Sequence, residues 1–328
     1  MRYRTLSDGT TSFDVSVLCL GTMHYGNRTD EATARAILDR YVDAGGTFLD
    51  TANNYGEWTP DGRAHGSEGV LARWLRDRGA RDRVRVATKV GAAKKDPALP
   101  LSSTPPTNFE GLSASTVDRA ARASLTALGL DHVDVLYGHV DDLDTPLSET
   151  VGAFGKLQAE GLVGITGISN VALHRVVEAR AEAVRQGVTP YGLVQQQHSY
   201  LYPVPQPGRT NVASDELLHY ARAATAEGTH PLTVVAYSPL MQGALTRDDK
   251  PLWDGFDHPG THERRARLRD VAQELGATPN QVALAWMTGG PAPVVPVIGP
   301  GSVEQLDELL GAADLELDAD VRARLDAA

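Results

Sequence analysis

Short apolar runs alternate with longer amphipathic stretches along nearly the whole chain. The runs are VSVLCLG (15–21), GTFLDT (46–51), RVRVATK (83–89), HVDVLYGH (132–139), LVGITGISN (162–170), YGLVQQQ (191–197), LTVVAYSP (232–239) and APVVPVIG (292–299). Each predicts a buried strand. Stretches such as DEATARAILDRYVDAGG, SASTVDRAARASLTALG and PLSETVGAFGKLQAEG predict helices between them. The first opens on Asp30 and closes on Gly45-Gly46, a cap at one end and a glycine stop at the other. Repeated strand–helix units imply parallel strands with right-handed crossovers, and eight of them close into an α/β TIM barrel, (β/α)8. A doubly wound open sheet is the rival, weakened because no G-x-G-x-x-G follows the first run.

Three segments fall outside the repeat. YRTLSDGTTSFDVS carries a D-G turn and predicts an N-terminal hairpin capping the barrel floor. Residues 91–113 and 240–262 form long loops after the third and seventh runs, on the face where barrel active sites are built. No composition shift marks a boundary, so one domain is expected over 1–328.

Composition narrows the classes. The chain is 41% hydrophobic and 22% charged, with 31 Lys and Arg against 42 Asp and Glu, a net charge of −11. That is the wrong sign for a nucleic-acid or anionic-membrane partner. The single cysteine, Cys19, lies among apolar neighbours and reads as a small buried hydrophobe. No run approaches the ~18 apolar residues of a membrane span and no signal peptide opens the chain, so the expectation is a cytoplasmic protein. Oligomeric state stays open, with a monomer compatible, and no metal ligand set is assigned.

Three successive predicted strands end on ionisable residues: Asp50, Lys89 and His139. In a barrel they are neighbours around one mouth, and Tyr55 follows Asp50 closely enough to lean over it. Singly each has a bland explanation, as turn cap, packed aromatic, solvent-directed lysine or core histidine. Jointly they suit carbonyl reduction. An ordinary tyrosine titrates at a pH of ~10, high for a proton donor near neutrality. A neighbouring Lys⁺ lowers that value, and a carboxylate holds the lysine in place. The expected roles are Tyr55 as general acid, Lys89 as its tuner, Asp50 as the lysine's partner and His139 as donor to the carbonyl oxygen.

At these residues the chain resembles the aldo-keto reductase superfamily. GTM (21–23), LDTANNYG (49–56), ATKVG (87–91), YGHVDD (137–142), GISN (167–170), LVQQQHSYL (193–201), AYSPL (236–240) and GATPNQVALAW (276–286) run in that family's order over essentially the whole chain. The resemblance implies hydride transfer from NADPH to an aldehyde or ketone, with Asp50, Tyr55, Lys89 and His139 as the tetrad. It assigns Ser169, Asn170 and Gln195 to the nicotinamide carboxamide, Tyr237 to the nicotinamide ring, and Gly21, Thr22 and Met23 to the floor below it. Ser238, Pro239, Leu240, Gly243 and Leu245 match the segment along the pyrophosphate. Asp50 counts with the cofactor set as well.

The last loop, VIGPGSVEQLDELL (297–310), departs from the family pattern. Gly299, Pro300, Gly301, Gln305 and Leu309 stand where relatives place a cation and an asparagine toward the adenosine 2′-phosphate. Without Arg or Lys, a phosphate loses its strongest contacts. Ser302 and the following helix start still offer hydroxyl and N–H donors, and Arg209 or Arg247 are candidates to reach in. NADPH is the implied cofactor, and NADH stays open. His198, where many relatives have tyrosine, reads as a wall residue.

His24, Tyr25, Asn54, Trp58 and Trp253 are expected around the substrate, where an aromatic rim suits a bulky carbonyl compound. Two rival functions remain: a nucleotide-sugar enone or ketone reductase, opposed by the intact His139, and a cofactor-binding regulatory subunit with little turnover. A lysine Schiff-base lyase is more distant, since Lys89 would then need an apolar site.

Overall fold

The computed structural model describes residues 1–57, 63–100, 108–206 and 208–327. An antiparallel hairpin comes first, β1 (Tyr3–Ser7) and β2 (Ser12–Ser16). Eight parallel strands follow: β3 (Cys19–Gly21), β4 (Phe48–Asp50), β5 (Arg85–Val90), β6 (Val133–Gly138), β7 (Val163–Ser169), β8 (Leu193–Gln197), β9 (Thr233–Tyr237) and β10 (Val294–Ile298). They close in that order, with β10 pairing both β9 and β3. This is the (β/α)8 barrel expected from the alternating pattern, and each apolar run coincides with one of its strands, β5 extending one residue further to Val90.

The first six barrel helices are α1 (Glu31–Asp43), α2 (Gly66–Arg78), α3 (Ala114–Leu128), α4 (Leu147–Ala159), α5 (Leu173–Gln186) and α6 (Asp215–Glu227). Between β9 and β10 lie two, α7 (Pro259–Leu275) and α8 (Pro279–Thr288), and the chain ends with α9 (Val303–Leu310) and α10 (Ala319–Asp326). Local chemistry sets their ends. Asp30 caps α1 by accepting from Thr33 N, and Ser113 does the same for α3 through Thr116 N. Thr278 and Gln281 cap α8 reciprocally, which separates it from α7.

Two cores result. The larger lies between helices and strands, where Ile37, Leu38, Trp74, Phe154 and Leu284 pack. The smaller fills the barrel: Cys19, Phe48, Ala87, Val135, Tyr137, Ile165, Leu193, Val235 and Val295, sealed by Leu6 and Val15 of the hairpin. The hairpin therefore closes the floor, as expected, and Cys19 is buried and free. The inner cluster also indexes the mouth. Side chains alternate faces along a strand, so two residues beyond Cys19, Phe48, Ala87, Tyr137, Leu193 and Val235 come Gly21, Asp50, Lys89, His139, Gln195 and Tyr237. One period-two rule brings all six to the upper end of the barrel. Among the described residues no helix is long and apolar enough to cross a membrane.

Candidate active site

Lys89 is fully buried and spends its ammonium on three acceptors. It donates to Asp50 Oδ1, to the Thr51 carbonyl at 2.9 Å and to the Tyr55 hydroxyl at 2.9 Å. Its Nζ also lies 4.7 Å from the Tyr55 ring centroid. The other Asp50 oxygen accepts from Gln195 Nε2 at 2.8 Å. Both carboxylate oxygens are thus engaged and the group is held from both sides. The His139 ring meets Tyr55 edge to face, with centroids 5.9 Å apart at 74°. Asp50, Tyr55, Lys89 and His139 are brought together as the sequence implied.

The electrostatics of the four are uneven. Burial works against the charge on Lys89, but Asp50 and Tyr55 outweigh it and leave the ammonium above the ordinary lysine value. Burial also pushes the Tyr55 hydroxyl up. The Lys89 charge opposes that rise, and the Asp50 charge adds to it. The net direction for Tyr55 is therefore upward. Lys89 lowers the value as predicted, but desolvation is the larger effect. His139 goes the other way: burial, then the Lys89 charge, holds the imidazole well below the usual histidine range. It is neutral near pH 7, and its buried Nδ1 has no partner among the described residues.

Beside the tetrad lies a second polar group. Ser169 faces Gln195 in register across β7 and β8. Asn170, at a left-handed φ of 60°, donates through Nδ2 to the His139 carbonyl at 2.8 Å and to Ser169 Oγ at 3.1 Å. Its Oδ1 accepts from the Tyr237 hydroxyl at 2.8 Å, and Asn211 Nδ2 donates to that hydroxyl at 3.0 Å. The Tyr237 ring is thereby held by its far end. Gln196, facing away from the barrel, accepts from Asn170 N at 2.7 Å. Sequence reasoning missed Asn211 and Gln196, although the QQQ run was a signal that a polar side chain must be satisfied on each face.

The loop after β9 is the most contorted segment. Ser238, Met241 and Gln242 all have left-handed φ, at 53°, 51° and 54°. Such conformations persist in non-glycine residues where the surroundings over-determine them, often at ligand sites. Pro239 is buried, Leu240 is half-buried and Gly243 carries a φ of 94°. Leu245 packs in the core, its N–H directed at Leu240 O and its carbonyl accepting from Arg265 Nε. On the opposite side, Gly21 lets β3 approach Val297, since a Cβ there would lie 2.8 Å from Val297 Cγ1. Thr22 is buried and bonded to the Asp50 carbonyl through both N and Oγ1, and Met23 is half-buried.

The last loop confirms its lack of cations. Gly299 and Gly301 are exposed, Ser302 caps α9, and Gln305 folds back so that its Oε1 accepts from Gly301 N at 2.8 Å. Arg247 is paired with Asp249, and Arg209 donates to the Asp254 carbonyl. Of the expected substrate residues, Asn54 is buried and donates to the Ala92 carbonyl, His24 is half-buried, and Trp253 packs against the core edge. Tyr25 is not a rim residue: only 2% exposed, it belongs to the helix–strand core, because the turn at Thr22 directs it inward. Trp58 lies outside the described residues. Arg264 occupies the far side of the β8 loop, over the Tyr200 ring at 4.1 Å, and His198 lies beside Trp286 there with ring centroids 5.8 Å apart.

A closed parallel barrel with a buried carboxylate–lysine–tyrosine chain and a neutral histidine at its C-terminal mouth defines the class of barrel oxidoreductases. The model of the Aldo/keto reductase family matches residues 17–328. "Uncharacterized oxidoreductase YrpG" of Bacillus subtilis (strain 168) is 36% identical over 327 residues, 95% of this chain and 92% of that protein. "Norsolorinic acid reductase stcV" of Emericella nidulans is 30% identical over 315 residues, 92% of this chain and 75% of that one. The crystal structure of the thermostable aldo-keto reductase Tm1743, in complex with the inhibitor epalrestat, superposes with a TM-score of 0.73 at 24% identity, covering 100% of this chain and 99% of the other. The chain belongs to the aldo/keto reductase family, whose members generally use NAD(P)H, and it is an oxidoreductase acting on carbonyl compounds.

Proposed function

We propose that this chain reduces a bulky aldehyde or ketone to an alcohol, with Tyr55 as the proton donor. The observation that carries this reading is the buried chain Asp50–Lys89–Tyr55, which ends on a hydroxyl at the mouth. A reduced nicotinamide dinucleotide supplies the hydride when bound. The residues present fit such a group: Ser169, Asn170 and Gln195 offer the hydroxyl and amide atoms a carboxamide needs, and Tyr237 offers a fixed aromatic face. His139, neutral, donates an N–H that orients the carbonyl oxygen beside Tyr55. Tyr55 stays protonated at neutral pH, because burial raises it, and gives its proton as negative charge develops on that oxygen. Lys89 stabilises the tyrosinate left behind.

The nucleotide preference follows from the last loop. With Gly299 and Gly301 in place of a cation, and Gln305 spent on Gly301 N, the 2′-phosphate has Ser302 and the α9 N–H groups to meet it. We therefore read the chain as accepting NADH beside NADPH. Trp253, His24 and Asn54 are the residues proposed for the substrate side. The enone-reducing alternative is disfavoured by His139, which stands intact beside Tyr55.

The test is a parallel fluorescence titration with NADPH and NADH, followed by turnover with aromatic aldehydes by wild type and Tyr55→Phe. Comparable nucleotide affinities are expected. Tyr55→Phe should bind nucleotide normally while losing about 10²–10⁴ in kcat, the range that general acid catalysis supplies. Full turnover by Tyr55→Phe would refute the mechanism, and binding without wild-type turnover would favour a regulatory role.

A further inference from the structure

The loop carrying Tyr55 is fastened from behind by side chains that the proton transfer does not use. Glu68, in the first turn of α2, is completely buried. Its Oε1 accepts from Thr88 Oγ1 at 2.5 Å, and its Oε2 is bonded to His65 Nδ1. Thr88 immediately precedes Lys89 on β5, so one carboxylate links the lysine's strand to His65. His65 donates its backbone N–H to Asn53 O at 2.7 Å, and Ser67 N donates to Tyr55 O at 3.3 Å. The fastening therefore reaches Asn53, two residues before the tyrosine, and the tyrosine's own carbonyl.

His65 also holds a left-handed φ of 60° and makes no side-chain cap to α2. A non-glycine residue keeps that conformation where its surroundings impose it. Here the imposing partner is a buried carboxylate that itself needs a donor. Three acids act on the imidazole: Glu68 of α2, Glu57 of the Tyr55 loop and Glu110 after β5. Glu110 is bridged to Arg119 of α3 at 2.7 Å and accepts from Asn53 Nδ2 at 3.0 Å. The Glu68 bond raises His65 above the ordinary histidine value, burial opposes it, and the other acids add to the rise.

We infer that His65 and Glu68 are positioning residues for the reduction: the Thr88–Glu68–His65 chain holds the Tyr55 loop in register with Lys89. The inference rests on Tyr55 being the proton donor, but its test reads the loop directly. His65→Gly keeps the left-handed backbone and removes the imidazole, while His65→Asn keeps that backbone and a short amide donor. At neutral pH, His65→Gly should lower kcat about tenfold, the equivalent of one hydrogen bond to a charged group, with nucleotide Kd unchanged and His65→Asn partly restored. Amide hydrogen exchange across residues 51–57 should quicken in His65→Gly whether or not any substrate turns over. A protein without turnover would thus sink the reductase reading while still reporting on the loop. In wild type, but not in His65→Asn, loop protection relative to intrinsic exchange should weaken as pH rises through the imidazole's raised value. Unchanged kcat and exchange in His65→Gly, or nucleotide affinity falling in step with kcat, would overturn the inference. If His65→Gly does not fold, identical pH dependence in wild type and His65→Asn overturns it alone.

Discussion

Lys89 is the residue on which the proposed chemistry turns, because it touches a carboxylate, a carbonyl and the tyrosine hydroxyl at once. Its charge opposes the rise that burial imposes on Tyr55. Lys89→Met should therefore move the alkaline limb of the reduction profile to higher pH and slow the reaction about a hundredfold. A slower enzyme with an unmoved limb would mean that Lys89 fixes geometry without tuning acidity. The substitution leaves Asp50 buried without its cation, which costs about 3–5 kcal/mol, so nucleotide binding must accompany the rates as a check on folding. At this scale the clustering of Asp50, Tyr55, Lys89 and His139 was legible because each ends a strand or follows one closely. Asn211 and Gln196 were not, because their task is to satisfy Tyr237 and Asn170, which lie 26 residues away in each case. The net direction of the Tyr55 shift was also illegible. It depends on how much solvent the loop excludes, which no sequence spacing states.

The eight barrel strands were readable because apolar runs flanked by polar punctuation mark them, and the D-G turn marked the floor hairpin. Their lengths were not. β3 and β4 have three residues each although their runs have seven and six. Ladder pairing in a tilted barrel stops where neighbouring strands end, and Val15 and Ser16 of the first run belong to β2 of the hairpin instead. The pairing of α7 with α8 was overlooked despite the capping signal at Thr278-Pro279. The element to which the nucleotide preference is ascribed in the proposed reading is α9. Its N-terminal turn presents Ser302 and a Gly301 N–H occupied by Gln305, with no fixed positive side chain. Gly301→Arg should add a charge-assisted contact to a 2′-phosphate and raise the NADPH-to-NADH affinity ratio about tenfold, NADH affinity being unaltered. Parallel titrations check it. An unchanged ratio would show that the 2′-phosphate does not approach this turn.

Across the whole molecule, the floor is plugged by the hairpin, and the loop after β8 is strapped to the chain's end. Tyr200 donates to the Leu325 carbonyl at 2.8 Å, Trp286 Nε1 to Asp326 at 2.6 Å, and Arg264 Nε to the Tyr200 carbonyl at 2.7 Å. His198 is buried in this assembly, where burial first and the Arg264 charge second push its imidazole from 6.5 down to about 4. The unfolded chain binds a proton at the ordinary histidine value while the folded chain refuses it. Stability is therefore complete above about pH 6.5 and declines as pH falls toward 4, where the folded imidazole finally accepts the proton. A shift of that size corresponds to about 3 kcal/mol, a large share of the roughly 5–15 kcal/mol that holds a typical fold. His139 contributes in the same direction, because its value is also depressed. His198→Phe keeps an aromatic ring beside Trp286 and removes the titration. Denaturant midpoints measured through this pH range should fall steeply for wild type and distinctly less for the variant. Equal slopes would assign the acid loss to His139 and the carboxylates, and would mean that the β8 loop opens to solvent before His198 is protonated.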